Sequence, residues 1–87
     1  MVHVEFTIEP FVEGAPGSHV LAAVASARQV GVEVEMGRFG STCDVPARDV
    51  GLLVGAITDA AIGQGATHVS IHVEAIGDPT STIGEGE

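Results

Sequence analysis

Residues 2–9, VHVEFTIE, alternate without a break: Val2, Val4, Phe6 and Ile8 fall on one side, His3, Glu5, Thr7 and Glu9 on the other. A period of two predicts a strand with one buried face. Pro10 ends it, having no amide to give to a ladder. A Gly- and Pro-rich loop, PFVEGAPG at 10–17, follows. The period then changes. Val20, Val24 and Ala27, broadened by Leu21 and Ala23, recur at helical spacing over about residues 19–30. Ser18 suits the N-cap and Gly31 the C-cap. Alternation returns in VEVEM at 32–36, with Val32, Val34 and Met36 opposite Glu33 and Glu35. Gly37-Arg38 suits a tight hairpin turn. The return strand is then FGSTCD at 39–44, with Phe39, Ser41 and Cys43 on one face and Gly40, Thr42 and Asp44 on the other.

Pro46 is favoured at a first helical position and predicts a second helix over about 46–63, with Val50, Leu53, Val54, Ile57 and Ala61 as its stripe. Gly51 and Gly55 weaken that helix unless close packing needs them. Gly63-Gln64-Gly65 stops it. The last strand is THVSIHVEAI at 67–76, with Val69, Ile71 and Val73 inward and His68, Ser70, His72 and Glu74 outward. The order β-α-β-β-α-β is the split β-α-β arrangement. It predicts an α+β, ferredoxin-like sandwich: an antiparallel four-stranded sheet, order 4-1-3-2, with two helices on one face. Residues 1–76 form the domain, and 77–87, GDPTSTIGEGE, form an acidic tail without periodicity.

Composition narrows what such a domain does. The chain has 87 residues and three aromatics, Phe6, Phe11 and Phe39, so its core is thin. A domain of this size buries roughly 60–65% of the surface its unfolded chain exposes, and pairing with a second copy adds to that. A homodimer or a dimer of dimers is therefore expected, through strand 67–76 or through the polar sheet face. There is no Lys; the basic residues are Arg28, Arg38 and Arg48, and the net charge is −9. That charge repels nucleic acid and anionic membranes and leaves a neutral or cationic small ligand as the compatible partner. Cys43 is the only cysteine. No disulfide forms within the chain, and no cysteine-rich zinc framework exists. Met1-Val2-His3 lacks the features of a signal peptide, and no run reaches the roughly 18 apolar residues of a membrane span. A cytoplasmic location is the expectation.

The polar face of the predicted sheet collects His3, Glu5, Thr7, Thr42, Asp44, Ser70, His72 and Glu74. It is either solvated or a shallow site for a polar small molecule, whose amino groups the carboxylates would accept from. A metal bound by His3, His68 and His72 with Glu5 is the weaker option. Positions 68 and 72 lie about 13 Å apart on a strand, too far to chelate one ion. No metal or cofactor is expected. Cys43 shares its face with Phe39 and reads as a small core hydrophobe rather than a nucleophile. An enzyme would draw its base from His72 or Glu5, and a structural or regulatory interaction module is the other alternative.

Three segments resemble the YkoF-like thiamine-binding proteins: VEFTIEP at 4–10, GVEVEMGRFGSTCD at 31–44 and GATHVSIHV at 65–73. The resemblance implies a ferredoxin-like fold in dimers or tetramers and non-catalytic binding of thiamine or its hydroxymethylpyrimidine part. Glu5 matches that family's first-strand Glu, and Ser70 its last-strand Ser. Ser41 stands where it has Thr, and Asp44 where it has Glu. His68 replaces an Arg, Val45-Pro46 replaces a Gly followed by an acidic residue, and the Asp-Arg pair closing the last strand is absent. These departures remove cationic groups that would contact phosphate. The expected ligand residues are Glu5, Thr7, Ser41, Thr42, Asp44, Ser70 and His72, around an unphosphorylated heteroaromatic, with Phe11 in the 10–17 loop as a lid.

Overall fold

Strand β1, Val2–Glu9, carries its alternation into the interior: Val4, Phe6 and Ile8 are fully buried, and His3, Glu5 and Thr7 stay on the opposite face. The computed structural model describes residues 1–10, 17–37 and 40–76. The expected turn at Gly37-Arg38, the placement of Phe39, the Phe11 lid and the 77–87 tail lie wholly or partly outside those residues.

Helix α1, Ser18–Gln29, begins one residue earlier than its stripe implied. Gly17, not Ser18, is the N-cap. The Gly17 carbonyl accepts from the amides of Val20 and Leu21, both at 3.1 Å, and Ser18 is already inside the first turn. The imidazole Nε2 of His19 is hydrogen-bonded to the carbonyl of Pro10, which ties the helix start to the end of β1. At the far end Gly31 adopts φ +105°, a left-handed conformation that suits glycine.

Strand β2 is Glu35–Met36 alone. Residues 32–34 alternate as a strand should, but they leave the ladder; Val34 is buried while Glu33 stays exposed. Strand β3, Ser41–Val45, buries Ser41, Cys43 and Val45. After Pro46 the chain makes a 3-10 turn, Ala47–Asp49, before helix α2, Val50–Gly63, so the second helix starts later than Pro46 implied. Strand β4 is His68–Ala75.

The sheet order β2-β3-β1-β4 is the predicted one, with every pairing antiparallel and β1 central. This is the β-α-β-β-α-β ferredoxin-like α+β fold. Its core lies between the sheet and the helices. Val4, Phe6 and Ile8 meet Val20, Ala23, Val24 and Ala27 from α1 and Leu53, Ile57 and Ala61 from α2. Ala23, Ala27 and Ala61 are completely buried, and their small side chains let the helices approach each other and the sheet. Gly51 and Gly55 do not serve close packing: a methyl group at either would meet nothing within 4 Å. Val73 does not reach the interior either. It is 45% exposed, because β4 is an edge strand and lies only partly beneath α2.

Candidate functional site

Facing away from the helices, the sheet presents its polar residues in rows. Directly paired residues of neighbouring strands project to the same side, so the register fixes each row. Asp44, His3 and Glu74 form the first, and Glu35, Thr42, Glu5 and His72 the second. Thr7 and Ser70 form the third, and Glu9 and His68 the fourth. Six of the seven predicted ligand residues, Glu5, Thr7, Thr42, Asp44, Ser70 and His72, therefore share this open face.

Ser41 does not join them. It pairs with Phe6, points to the helix side and is 4% exposed. The alternation of β3 already put Ser41 with Cys43, and only the family resemblance had moved it to the site.

The face is not uniformly flat. Where residues 32–34 part from β3, a groove of about 280 Å³ opens, lined by His3, Glu33, Val34, Glu35, Thr42, Cys43 and Asp44. It exists because the β2–β3 ladder stops at the Glu35–Thr42 pair. The imidazole of His3 is hydrogen-bonded from Nδ1 to Asp44 Oδ1 at 2.7 Å. That bond holds the His3 pKa above its usual value, and the nearby charges of Asp44, Glu5 and Glu74 add to it against some desolvation. The groove thus combines one readily protonated imidazole with carboxylates from two chain segments, Glu33 and Glu35 from one and Asp44 from the other. Such a lining offers hydrogen-bond acceptors to amine or amidine donors and repels anions.

Cys43 belongs to the inner wall. It is buried, and its thiol is pushed up by burial and then by the Asp44 charge, which keeps the thiolate scarce. Among the described residues, no group of three or more His, Cys, Asp or Glu side chains is placed to hold a metal ion. No helix among them is long and apolar enough to cross a membrane. His3, Glu33 and Glu35 were not among the expected ligand residues. The sequence signal for His3 was its position opposite the Asp44 strand; for Glu33 and Glu35 there was only the alternation of 32–36.

The His3–Asp44 pair makes a pH prediction. Because the folded-state pKa of His3 lies above its usual 6.5, the pair's contribution to stability is fully present below that value. It fades as pH rises through the higher folded-state pKa. A histidine-resolved NMR titration is expected to place the His3 midpoint above 6.5 and to show it fall in Asp44→Asn. A midpoint unmoved by that substitution would remove the pairing.

No protein-family model matches the chain, and no curated protein does. Solved structures that share its fold include two of known source. One is a domain of unknown function, DUF77, from Bacillus cereus. It is 22% identical with a TM-score of 0.64, over 91% of this chain and 77% of that one. The other is protein SP2199 from Streptococcus pneumoniae, 16% identical with a TM-score of 0.54, over 97% of this chain and 94% of that one. At these identities the likeness establishes the fold.

Proposed function

We propose that this protein is a YkoF-like, non-catalytic binder of a small amine-bearing heteroaromatic, with thiamine or its hydroxymethylpyrimidine part as the ligand class. The observation that carries the reading is the groove of about 280 Å³ between residues 32–35 and β3, with Asp44, Glu33 and Glu35 on its walls and His3 at its side. Small-molecule pockets run upward from about 300 Å³, so this groove matches one substituted ring better than two. An exocyclic amine finds acceptors in Asp44 and Glu35, and a ring nitrogen finds a donor in protonated His3 or in the Thr42 hydroxyl. The rest of a larger ligand lies along the open face toward Glu5, His72, Thr7 and Ser70. The three segments that resemble the YkoF-like family contribute Glu5, Asp44 and Ser70 to this same face.

The chemistry of the groove favours binding over turnover. Its one thiol is buried and protonated. Glu5 and His72 are cross-strand neighbours, but they stand on an exposed sheet face, where water competes for any proton they would move.

Isothermal titration with hydroxymethylpyrimidine, thiamine and the thiamine phosphates tests the reading. The two unphosphorylated compounds are expected to bind, and the phosphates to bind more weakly. An acidic groove with no Arg or Lys among the described residues of its lining repels them. No heat with any of the four compounds would end the ligand assignment. Tighter binding of the phosphates would move the site to another surface.

A further inference from the structure

We infer that the main chain of Asp44 reads the ligand: its amide and carbonyl, left unpaired where the β2–β3 ladder ends, bind a ring edge that sets a nitrogen acceptor beside an amino donor. Resting on the ligand class proposed above, this fixes which edge of the ring enters the groove.

The direction of the Asp44 backbone follows from the ladders on both sides of β3. On one side, the amide of Gly37 donates to the carbonyl of Gly40 at 2.7 Å. Along an antiparallel pair such bonds fall on every second residue. Gly40, Thr42 and Asp44 therefore turn their amides and carbonyls toward β2. The other side agrees. The amide of Ile76 donates to the carbonyl of Met1 at 3.1 Å, which turns His3 and Glu5 toward β4 and leaves Val2, Val4 and Phe6 to bond with β3. Their partners there are Val45, Cys43 and Ser41, not Asp44.

Thr42 finds its partner in Glu35, and in the same register the next pair would be Asp44 with Glu33. That pair does not form. Val34 is drawn into the core, and Arg28 Nη2 on α1 donates to its carbonyl at 3.4 Å, which holds residue 33 off β3. Among the described residues, neither the amide nor the carbonyl of Asp44 has a backbone partner. Two residues on, Pro46 has no amide, and its carbonyl accepts from the Asp49 amide at 2.9 Å. One donor and one acceptor thus stand side by side on the β3 wall of the groove, with Glu33, Val34 and Glu35 on the wall opposite.

An extended residue points its N–H and C=O the same way, so it exchanges two bonds with one strand partner. A flat ring takes the place of that partner when a ring nitrogen and an amine are adjacent. The nitrogen accepts from the Asp44 amide, and the amine donates to the Asp44 carbonyl. The second N–H of the amine is then left for the Asp44 or Glu35 carboxylate. A ring carbonyl in place of the amine would turn its oxygen toward those carboxylates and be repelled.

Amide hydrogen exchange on the full chain tests this. In the free protein the Asp44 amide should exchange fast, and those of Cys43 and Val45, bonded to β1, slowly. At saturating hydroxymethylpyrimidine the Asp44 amide is expected to slow by about tenfold or more, and by more than Cys43 and Val45. Asp44→Ala removes the carboxylate and keeps the main chain. The amide at position 44 should therefore still slow at saturation, which is reached at higher ligand concentration. Calorimetry should show the 4-oxo counterpart of hydroxymethylpyrimidine binding about tenfold more weakly or worse. A slow Asp44 amide in the free chain would overturn the inference. So would bound ligand that leaves that amide fast, or equal affinity for the 4-oxo compound. Those results leave the ligand class standing, whereas no binding of hydroxymethylpyrimidine at all would end both.

Discussion

Phe6→Ala is expected to lower the unfolding free energy by about 3–5 kcal/mol, the usual loss when a buried Phe is truncated to Ala. The residue is 1% exposed and sits mid-strand in the central strand, beneath both helices. It is among the largest fully buried side chains, and the buried valines of the same core, Val4, Val24 and Val45, are too short to fill the space it would leave. At about 0.05–0.15 kcal/mol per residue, a chain of 87 residues has roughly 4–13 kcal/mol of stability in all. The variant should therefore unfold at markedly lower urea concentration, and at the lower end of that range it should not fold as a single chain. Urea titration followed by circular dichroism measures this. A midpoint within experimental error of the parent would mean that the core is not organised around β1.

The second large effect is expected at the groove. Asp44→Asn removes the charge that accepts from His3 and that, in the proposed function, faces the amine of the ligand. A hydrogen bond to a charged group contributes about 1.5–3 kcal/mol, which is about a 10- to 100-fold change in affinity. The groove is open to water, so a loss near tenfold is expected for hydroxymethylpyrimidine. Glu5→Gln should also weaken binding, by less for a ligand confined to the groove and by more for thiamine, which extends toward β1. Both side chains are exposed, so the fold should tolerate either change. Titration calorimetry on folded variants reads the outcome. Full affinity in Asp44→Asn would move the ligand out of the groove, and full affinity in Glu5→Gln with both compounds would take it off the open face.

Much of this site was legible as strand parity. His3, Glu5 and Thr7 had to share a face because Val4, Phe6 and Ile8 had to share the other, and the same logic placed Thr42 with Asp44 and Ser70 with His72. Parity also placed Ser41 inside; the family resemblance, which compares positions and not faces, put it in the site. The groove was not legible. VEVEM at 32–36 alternates as well as any strand in the chain, yet only Glu35–Met36 pairs. Alternation reports which side of a strand is apolar. It does not report whether a partner backbone lies within hydrogen-bond reach.

The sequence by itself determined the element order, the two faces of each strand, the apolar stripes of both helices apart from Leu21, which is 51% exposed, and the sheet order. Each of these follows from a local period or from the short list of ways such elements can pack. The tertiary structure alone decided where the β2–β3 ladder stops and so where a cavity opens. It also decided that His3 and Asp44, 41 positions apart, come within 2.7 Å. Likewise, only the fold showed that Val73, apolar and in phase with the core, is left on an edge, and that Gly51 and Gly55 face open space. These outcomes depend on distances between segments remote in the chain, and no local pattern encodes a distance.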